Sequence, residues 1–138
     1  MTILSLAERS ILIIEDEALI ALDLAQAFER AGAEVTTTST LHHAHLLVKH
    51  DGLSAAVVDH ALGDGDTQSI CKYLKEHGVP FVTYSGFGGA DLEGSECGGV
   101  YIAKPKTPEF VVGVVADLLK SRVPPGSFAP TNGSSPVK

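Results

Sequence analysis

Carboxylates come directly after two apolar runs of this sequence. Glu15 and Asp16 follow the run ILII at 11–14, and Asp59 follows the run AAVV at 55–58. Like charges this close together repel one another, and burial at the end of a strand makes them harder to keep ionised. A hard divalent cation such as Mg²⁺ prefers oxygen ligands and would remove that repulsion. The pattern therefore indicates a magnesium site, at which Mn²⁺ would be a substitute.

A hydroxyl group and an ammonium group follow two further apolar runs. Ser85 comes after VPFVTY at 79–84, and Lys104 comes after GVYIA at 99–103. With a cation bound, an incoming phosphoryl group would find its charge neutralised, and Asp59 would be the nucleophile that forms an aspartyl-phosphate. Lys104 would pair with one phosphoryl oxygen, and Ser85 would donate a hydrogen bond to another.

These residues meet only if the ends of several strands meet. Short β-rich runs alternate with segments of helical periodicity. The predicted strands cover 10–15, 34–38, 55–59, 79–84 and 99–103, and the predicted helices cover 17–31, 40–52, 67–78 and 107–122. This alternation predicts an α/β fold, a flavodoxin-like doubly wound five-stranded parallel sheet of order 2-1-3-4-5. Ligands of such sheets bind beyond the carboxyl ends of the strands.

The 138 residues predict one domain with short extensions. We expect an N-terminal lead over 1–9, the domain over 10–122 and a flexible Pro/Gly/Ser-rich tail over 123–138. Six glycines in 86–100 predict that a fourth helix there is short or irregular. In the first helix, the periodicity places Leu19, Leu22, Ala25, Ala27 and Phe28 near one face.

Charge and cysteine content exclude several classes of function. The formal net charge is −7, and no basic cluster exceeds the pair Lys104 and Lys106, so direct binding of nucleic acid or of an anionic membrane is not expected. Cys71 and Cys97 form no CxxC pair, which predicts reduced thiols in the cytoplasm. No apolar window is long enough to span a membrane.

Four segments of the chain resemble the signature regions of response-regulator receiver domains of two-component signalling. They are ILIIEDE, AAVVDHALGDG, PFVTYSGFG and YIAKPKTPEF, in that order, and the resemblance covers roughly residues 10–122. It implies that Asp59 is the phosphoacceptor, which receives its phosphoryl group from a sensor histidine kinase or a histidine phosphotransfer protein. A stand-alone receiver of this kind is not an enzyme with a turnover substrate, and its output would be protein–protein binding to a target that the sequence does not name.

The same resemblance assigns the metal ligands. It implies that Asp16 binds Mg²⁺ directly, that Glu15 acts mostly through metal-bound water, and that Asp59 and the backbone carbonyl of Ala61 complete the protein ligands.

The resemblance also assigns the residues that respond to phosphate. Ser85 is the switch hydroxyl, Lys104 is the phosphate-binding lysine, and the bond from Lys104 to Pro105 is the usual cis peptide. Tyr101 matches an aromatic residue whose rotamer follows phosphorylation, although plain strand packing explains a tyrosine there equally well.

Three departures from the family pattern matter. Glu15 stands where aspartate is common, a change that the family tolerates. Ala61 and Phe87 are apolar where polar side chains can assist the hydrolytic water, so we expect slow dephosphorylation. The shortened fourth helix belongs to the surface through which many receivers dimerise, so a homodimer through that face is in doubt.

Other interpretations of these residues remain open. Glu15 and Asp16 could be the exposed first turn of a helix. The whole domain could be a receiver-like interaction module that works without phosphorylation. Phosphatases of the haloacid dehalogenase type also use an aspartyl nucleophile, but they place a second aspartate two residues later, where this chain has Ala61. For the histidines at 42, 43 and 45, we favour a solvated helix face over a metal site.

Overall fold

The computed structural model describes residues 5–86 and 100–120. Seven strands lie in these ranges: β1 (Ser10–Ile14), β2 (Glu34–Thr38), β3 (Ala55–Val58), β4 (Ala61–Leu62), β5 (Gly65–Asp66), β6 (Phe81–Ser85) and β7 (Val100–Ala103). The helices are α1 (Ala18–Arg30), α2 (Leu41–Leu47), α3 (Gln68–Glu76) and α4 (Pro108–Lys120). The predicted tail over 123–138 and all but the ends of the predicted fourth-helix stretch fall outside the described residues.

The main sheet has five parallel strands in the order β2-β1-β3-β6-β7. The remaining two strands, β4 and β5, form a separate antiparallel hairpin in the loop between β3 and α3. With that hairpin set aside, the order is the predicted 2-1-3-4-5, so the doubly wound fold is confirmed.

Strand β1 shows why both faces of the sheet are covered. Ile11 and Ile13 lie in the core beneath α1 and α4, whereas Leu12 and Ile14 lie in the core beneath α2 and α3. All four side chains are at most 1% exposed. An uninterrupted apolar run is what a parallel strand requires when helices pack on both of its sides.

Helix α1 buries only part of the predicted face. Phe28 is buried with Leu24 and Ala27, but Leu19 is 76% exposed and Leu22 is 51% exposed. The helix carries apolar residues around most of its circumference, so periodicity alone did not decide which stripe packs on the sheet. Two large apolar side chains are left on its outer surface.

Helix α2 is shorter than the predicted helix over 40–52. It ends at Leu47 because the chain turns there: the His50 amide donates to the Leu47 carbonyl at 3.1 Å, and Gly52 adopts a φ of +91°.

The segment before the first strand also contributes to the core. Leu6 lies in the segment predicted to be an N-terminal lead, yet its side chain is fully buried. In residues 5–86 and 100–120, no helix combines the length and the apolarity needed to cross a bilayer.

Candidate functional site

The register of the sheet brings Glu15 and Asp59 together. Ile14 is paired with Val58, so the residues that follow them leave adjacent strands at the same level. The Asp59 amide extends this ladder by donating to the Ile14 carbonyl at 2.9 Å. Neighbouring parallel strands that end in register therefore deliver both carboxylates to one edge.

Lys104 reaches the same edge from the end of β7, the outermost strand on the far side of β3 and β6. Ser85 is paired with Ala103 at the ends of β6 and β7, and the Lys104 amide donates to the Ser85 carbonyl at 2.8 Å. Ser85 is fully buried at the end of β6.

Three carboxylates form a cluster at this edge. Glu15, Asp16 and Asp59 each offer an oxygen, and these oxygens lie within 4.8 Å of one another. Glu15 is 2% exposed and Asp59 is 8% exposed, while Asp16 is exposed to solvent. A set made only of carboxylate oxygens with one open side fits a hard cation such as Mg²⁺, which keeps part of its hydration shell.

The ammonium group of Lys104 already lies among these charges. Its Nζ is 3.0 Å from Glu15 Oε1 and 3.6 Å from Asp59 Oδ2. Glu17, which the sequence had not assigned to the site, places its Oε1 3.6 Å from the same nitrogen. A buried strand can thus end in acidic residues because the lysine directly after β7 balances part of their charge.

Burial and the lysine act on the protonation states in opposite ways. Burial raises the pKa of Glu15 to about 7, although the hydrogen bonds from Lys104 and from the Glu17 amide lower it. For Lys104, burial lowers the pKa, but the hydrogen bond to Glu15 and the charges of Asp59 and Glu15 outweigh it, so the pKa is raised. Lys104 therefore carries its charge at neutral pH, whereas Glu15 exchanges a proton there.

Thr67 holds the loop that follows Asp59, a role that the sequence did not reveal. Its hydroxyl lies 2.6 Å from the Asp59 carbonyl oxygen and 2.9 Å from that of His60, and the residue is 1% exposed. Thr67 also occupies the N-cap position of α3, but its side chain makes no capping hydrogen bond.

The β4–β5 hairpin connects this loop to helix α2. Ala61, whose backbone carbonyl the resemblance assigns to the metal, begins β4 and pairs with Asp66. Between the two short strands, Asp64 accepts the Leu41 amide at 2.8 and 3.0 Å and the His42 amide at 3.4 Å. The hydrogen bond from Leu41 is the main reason why the pKa of Asp64 lies below its usual range.

The other residues named by the resemblance lie on β7 and just after it. Tyr101 is half-buried and pairs with Thr83 of β6, and its role as a switch residue stays a prediction. The Lys104–Pro105 peptide bond is cis, as the resemblance implies. Phe87 lies outside the described residues.

The histidines of α2 take part in local contacts. His43 Nδ1 lies 3.1 Å from the Thr40 hydroxyl, and His45 Nε2 lies 3.3 Å from the Ser69 hydroxyl. Within the part of the chain that the structure describes, the acidic trio is the only cluster suited to a metal, and it includes no histidine.

Comparisons with known proteins agree with this architecture. No protein-family model matches the sequence, and no curated protein does. Solved structures do match. A response regulator receiver protein from Sinorhizobium medicae is 24% identical with a TM-score of 0.75, and the match covers 82% of this chain and 95% of that one.

Two further structures show the same likeness. A CheY-like response regulator receiver domain protein from Methanospirillum hungatei is 20% identical, with a TM-score of 0.75 over 83% of this chain and 96% of that one. The BeF3-activated receiver domain of DrrB from Thermotoga maritima is 23% identical, with a TM-score of 0.69 over 83% of this chain and 98% of that one. The chain therefore has the fold of a response-regulator receiver domain.

Proposed function

We propose that this protein is a signalling phosphoacceptor that takes a phosphoryl group on Asp59 in a Mg²⁺-dependent reaction. The observation that carries the proposal is the meeting of three carboxylates and one ammonium group at the carboxyl edge of a receiver sheet. It accepts and releases phosphate to signal, and it is not an enzyme that turns over a small substrate.

Each residue has a part that follows from its position. A carboxylate oxygen of Asp59 forms the new bond to phosphorus while the bond between phosphorus and the donor's leaving atom breaks. Lys104, within 3.6 Å of Asp59 Oδ2, pairs with a phosphoryl oxygen, and Ser85 donates a hydrogen bond to another. Glu15, Asp16, Asp59 and the Ala61 carbonyl would hold the metal. When bound, the metal neutralises charge that develops on the phosphoryl oxygens.

A protein donor suits the surface around the site. Helix α1 begins directly beyond the acidic residues and leaves Leu19 and Leu22 on its outer face. Exposed leucines next to a charged site support a protein–protein contact. The donor class is a sensor histidine kinase or a histidine phosphotransfer protein, and the signal passes on by binding of a protein target.

A phosphorylation-independent interaction module is the second candidate. The exposed leucines of α1 would serve that role as well. An interaction module does not require Glu15, Asp59 and Lys104 to lie within hydrogen-bonding and ion-pair distance at a buried edge. For this reason we favour the phosphoacceptor.

Intact-protein mass spectrometry after incubation with acetyl phosphate tests the proposal. We expect a gain of one HPO₃, about 80 Da, that requires both Mg²⁺ and Asp59. Asp59→Asn, which removes the nucleophilic oxygen while keeping the size of the side chain, should show no gain. The decay of the adduct then measures dephosphorylation, which the apolar Ala61 leads us to expect to be slow.

One further arm separates the two candidates. Because a structural neighbour is a BeF3-activated receiver domain, beryllofluoride serves as a second probe of the same site. A folded protein that gains no phosphate and does not bind beryllofluoride would refute the phosphoacceptor proposal and leave the interaction module.

A further inference from the structure

The segment 104–106 depends on strand β6 for its main-chain hydrogen bonds. The Lys104 amide donates to the Ser85 carbonyl at 2.8 Å, and Pro105 has no N–H. The Lys106 amide donates to the phenolic oxygen of Tyr84 at 3.1 Å, and the phenol donates back to the Lys106 carbonyl at 2.9 Å. Every main-chain N–H of this segment is thus bound by residue 84 or 85.

The ring of Tyr84 also lies next to the side chain of Lys104. The Lys104 Nζ is 5.4 Å from the ring centroid, which is within the range where an aromatic face attracts a cation. Tyr84 is 5% exposed and belongs to the core beneath α1 and α4, so its ring is held firmly in place. The same ammonium group is 3.0 Å from Glu15.

We propose that Tyr84 is a positioning residue for Lys104, an inference that rests on the proposed function of the site. Its hydroxyl fixes the main chain two residues after Lys104, and its ring supports the lysine side chain. Together these contacts keep the ammonium group beside Asp59, where a phosphoryl oxygen would arrive.

The arrangement couples two parts of the site. Ser85 and Tyr84 are consecutive, and they bind the chain on either side of Pro105. A displacement at the end of β6 would therefore move the segment that carries Lys104 as well.

Tyr84→Phe tests the inference because it removes one oxygen atom and keeps the ring. With acetyl phosphate and saturating Mg²⁺, we expect phosphorylation to be slower by about three- to tenfold, the effect of losing one or two neutral hydrogen bonds. Tyr73→Phe is the matched control, since Tyr73 lies on α3 at the opposite face of the sheet and stacks on His77. Its phosphorylation rate should equal that of the wild type.

Two readouts separate positioning from a merely structural role. The affinity for Mg²⁺ should be unchanged in Tyr84→Phe, because the carboxylates are not affected. In a Lys104→Ala background, Tyr84→Phe should cause no further slowing, because Tyr84 acts through the lysine.

The remaining outcomes would refute either the role of Tyr84 or the proposed function. An unchanged rate in Tyr84→Phe, an equal loss with and without Lys104, or a parallel loss of Mg²⁺ affinity would overturn the role of Tyr84. A wild-type protein that gains no phosphate would instead overturn the proposed function. If Tyr84→Phe does not fold, hydrogen exchange of the wild-type Lys106 amide decides. That amide should be protected, and exchange at the rate of an open loop would refute the inference.

Discussion

Removing the charge of Lys104 should destabilise the metal-free protein. In Lys104→Met, the ammonium group that lies 3.0 Å from Glu15 and 3.6 Å from Asp59 is lost, while an unbranched apolar chain only one atom shorter is kept. The carboxylates then remain at a buried edge without their positive partner. We expect the variant to fold and to be less stable than the wild type.

The size of the effect follows from these distances. At an effective dielectric constant of about 20, unit charges at 3.0–3.6 Å attract by roughly 5 kcal/mol before desolvation is counted. Breaking a buried pair by removing one partner typically costs about 3–5 kcal/mol. Glu15 can take up a proton near pH 7, which relieves part of the repulsion. We therefore expect a loss of about 2–3 kcal/mol in the free energy of unfolding.

Urea denaturation followed by far-ultraviolet circular dichroism measures this loss, with EDTA and with saturating Mg²⁺. Mg²⁺ supplies positive charge to the same carboxylates, so the deficit should shrink when it is present. Lys106→Met is the control. It also removes an ammonium group, but this group lies 5.3 Å from the centroid of the Phe110 ring and not beside Glu15 and Asp59. That contact is worth about 0.5–1 kcal/mol. If both variants lost the same stability in EDTA, or if Mg²⁺ left the deficit of Lys104→Met unchanged, the charge-balance argument would be wrong.

Two further predictions concern Glu15 and Thr67. Because burial raises the pKa of Glu15 to about 7, Mg²⁺ binding should release a proton near that pH, and Mg²⁺ affinity should fall as the pH is lowered through 7. Calorimetry in buffers of different ionisation enthalpy counts the released protons, and a count of zero near pH 7 would contradict the assignment. Thr67→Val should lower the free energy of unfolding by about 1–3 kcal/mol, because the buried carbonyl of Asp59 loses its donor. In urea denaturation, Thr67→Ser should retain most of the stability. A Thr67→Val variant as stable as the wild type would contradict this role of the hydroxyl.

The strand pattern was predictable because a parallel sheet covered on both faces needs continuous apolar runs. The runs 11–14 and 55–58 were therefore predicted as buried strands, and the residues directly after them were the candidates for a site. Lys104 and Ser85 followed from the same argument.

Contacts between distant residues were beyond the sequence pattern. Tyr84 reads as one more apolar residue of β6, and only the structure places its hydroxyl on the main chain of Lys106. Leu19 and Leu22 were wrongly placed on the buried face of α1 because they fit the helical period as well as the buried residues do. The β4–β5 hairpin was missed because two-residue strands leave no periodicity to detect.

The hydrogen bonds to Asp64 couple the stability of α2 to that of the loop that follows Asp59. Thr40 caps one amide of this seven-residue helix, and Asp64, which follows Asp59 by five residues, accepts two others. If α2 melted locally, the hairpin that carries the Ala61 carbonyl would lose its anchor, and an opened hairpin would leave α2 without these acceptors. The two should therefore open as one cooperative unit in native-state hydrogen exchange, and a ligand that orders the loop should slow the exchange of α2 amides that it never touches.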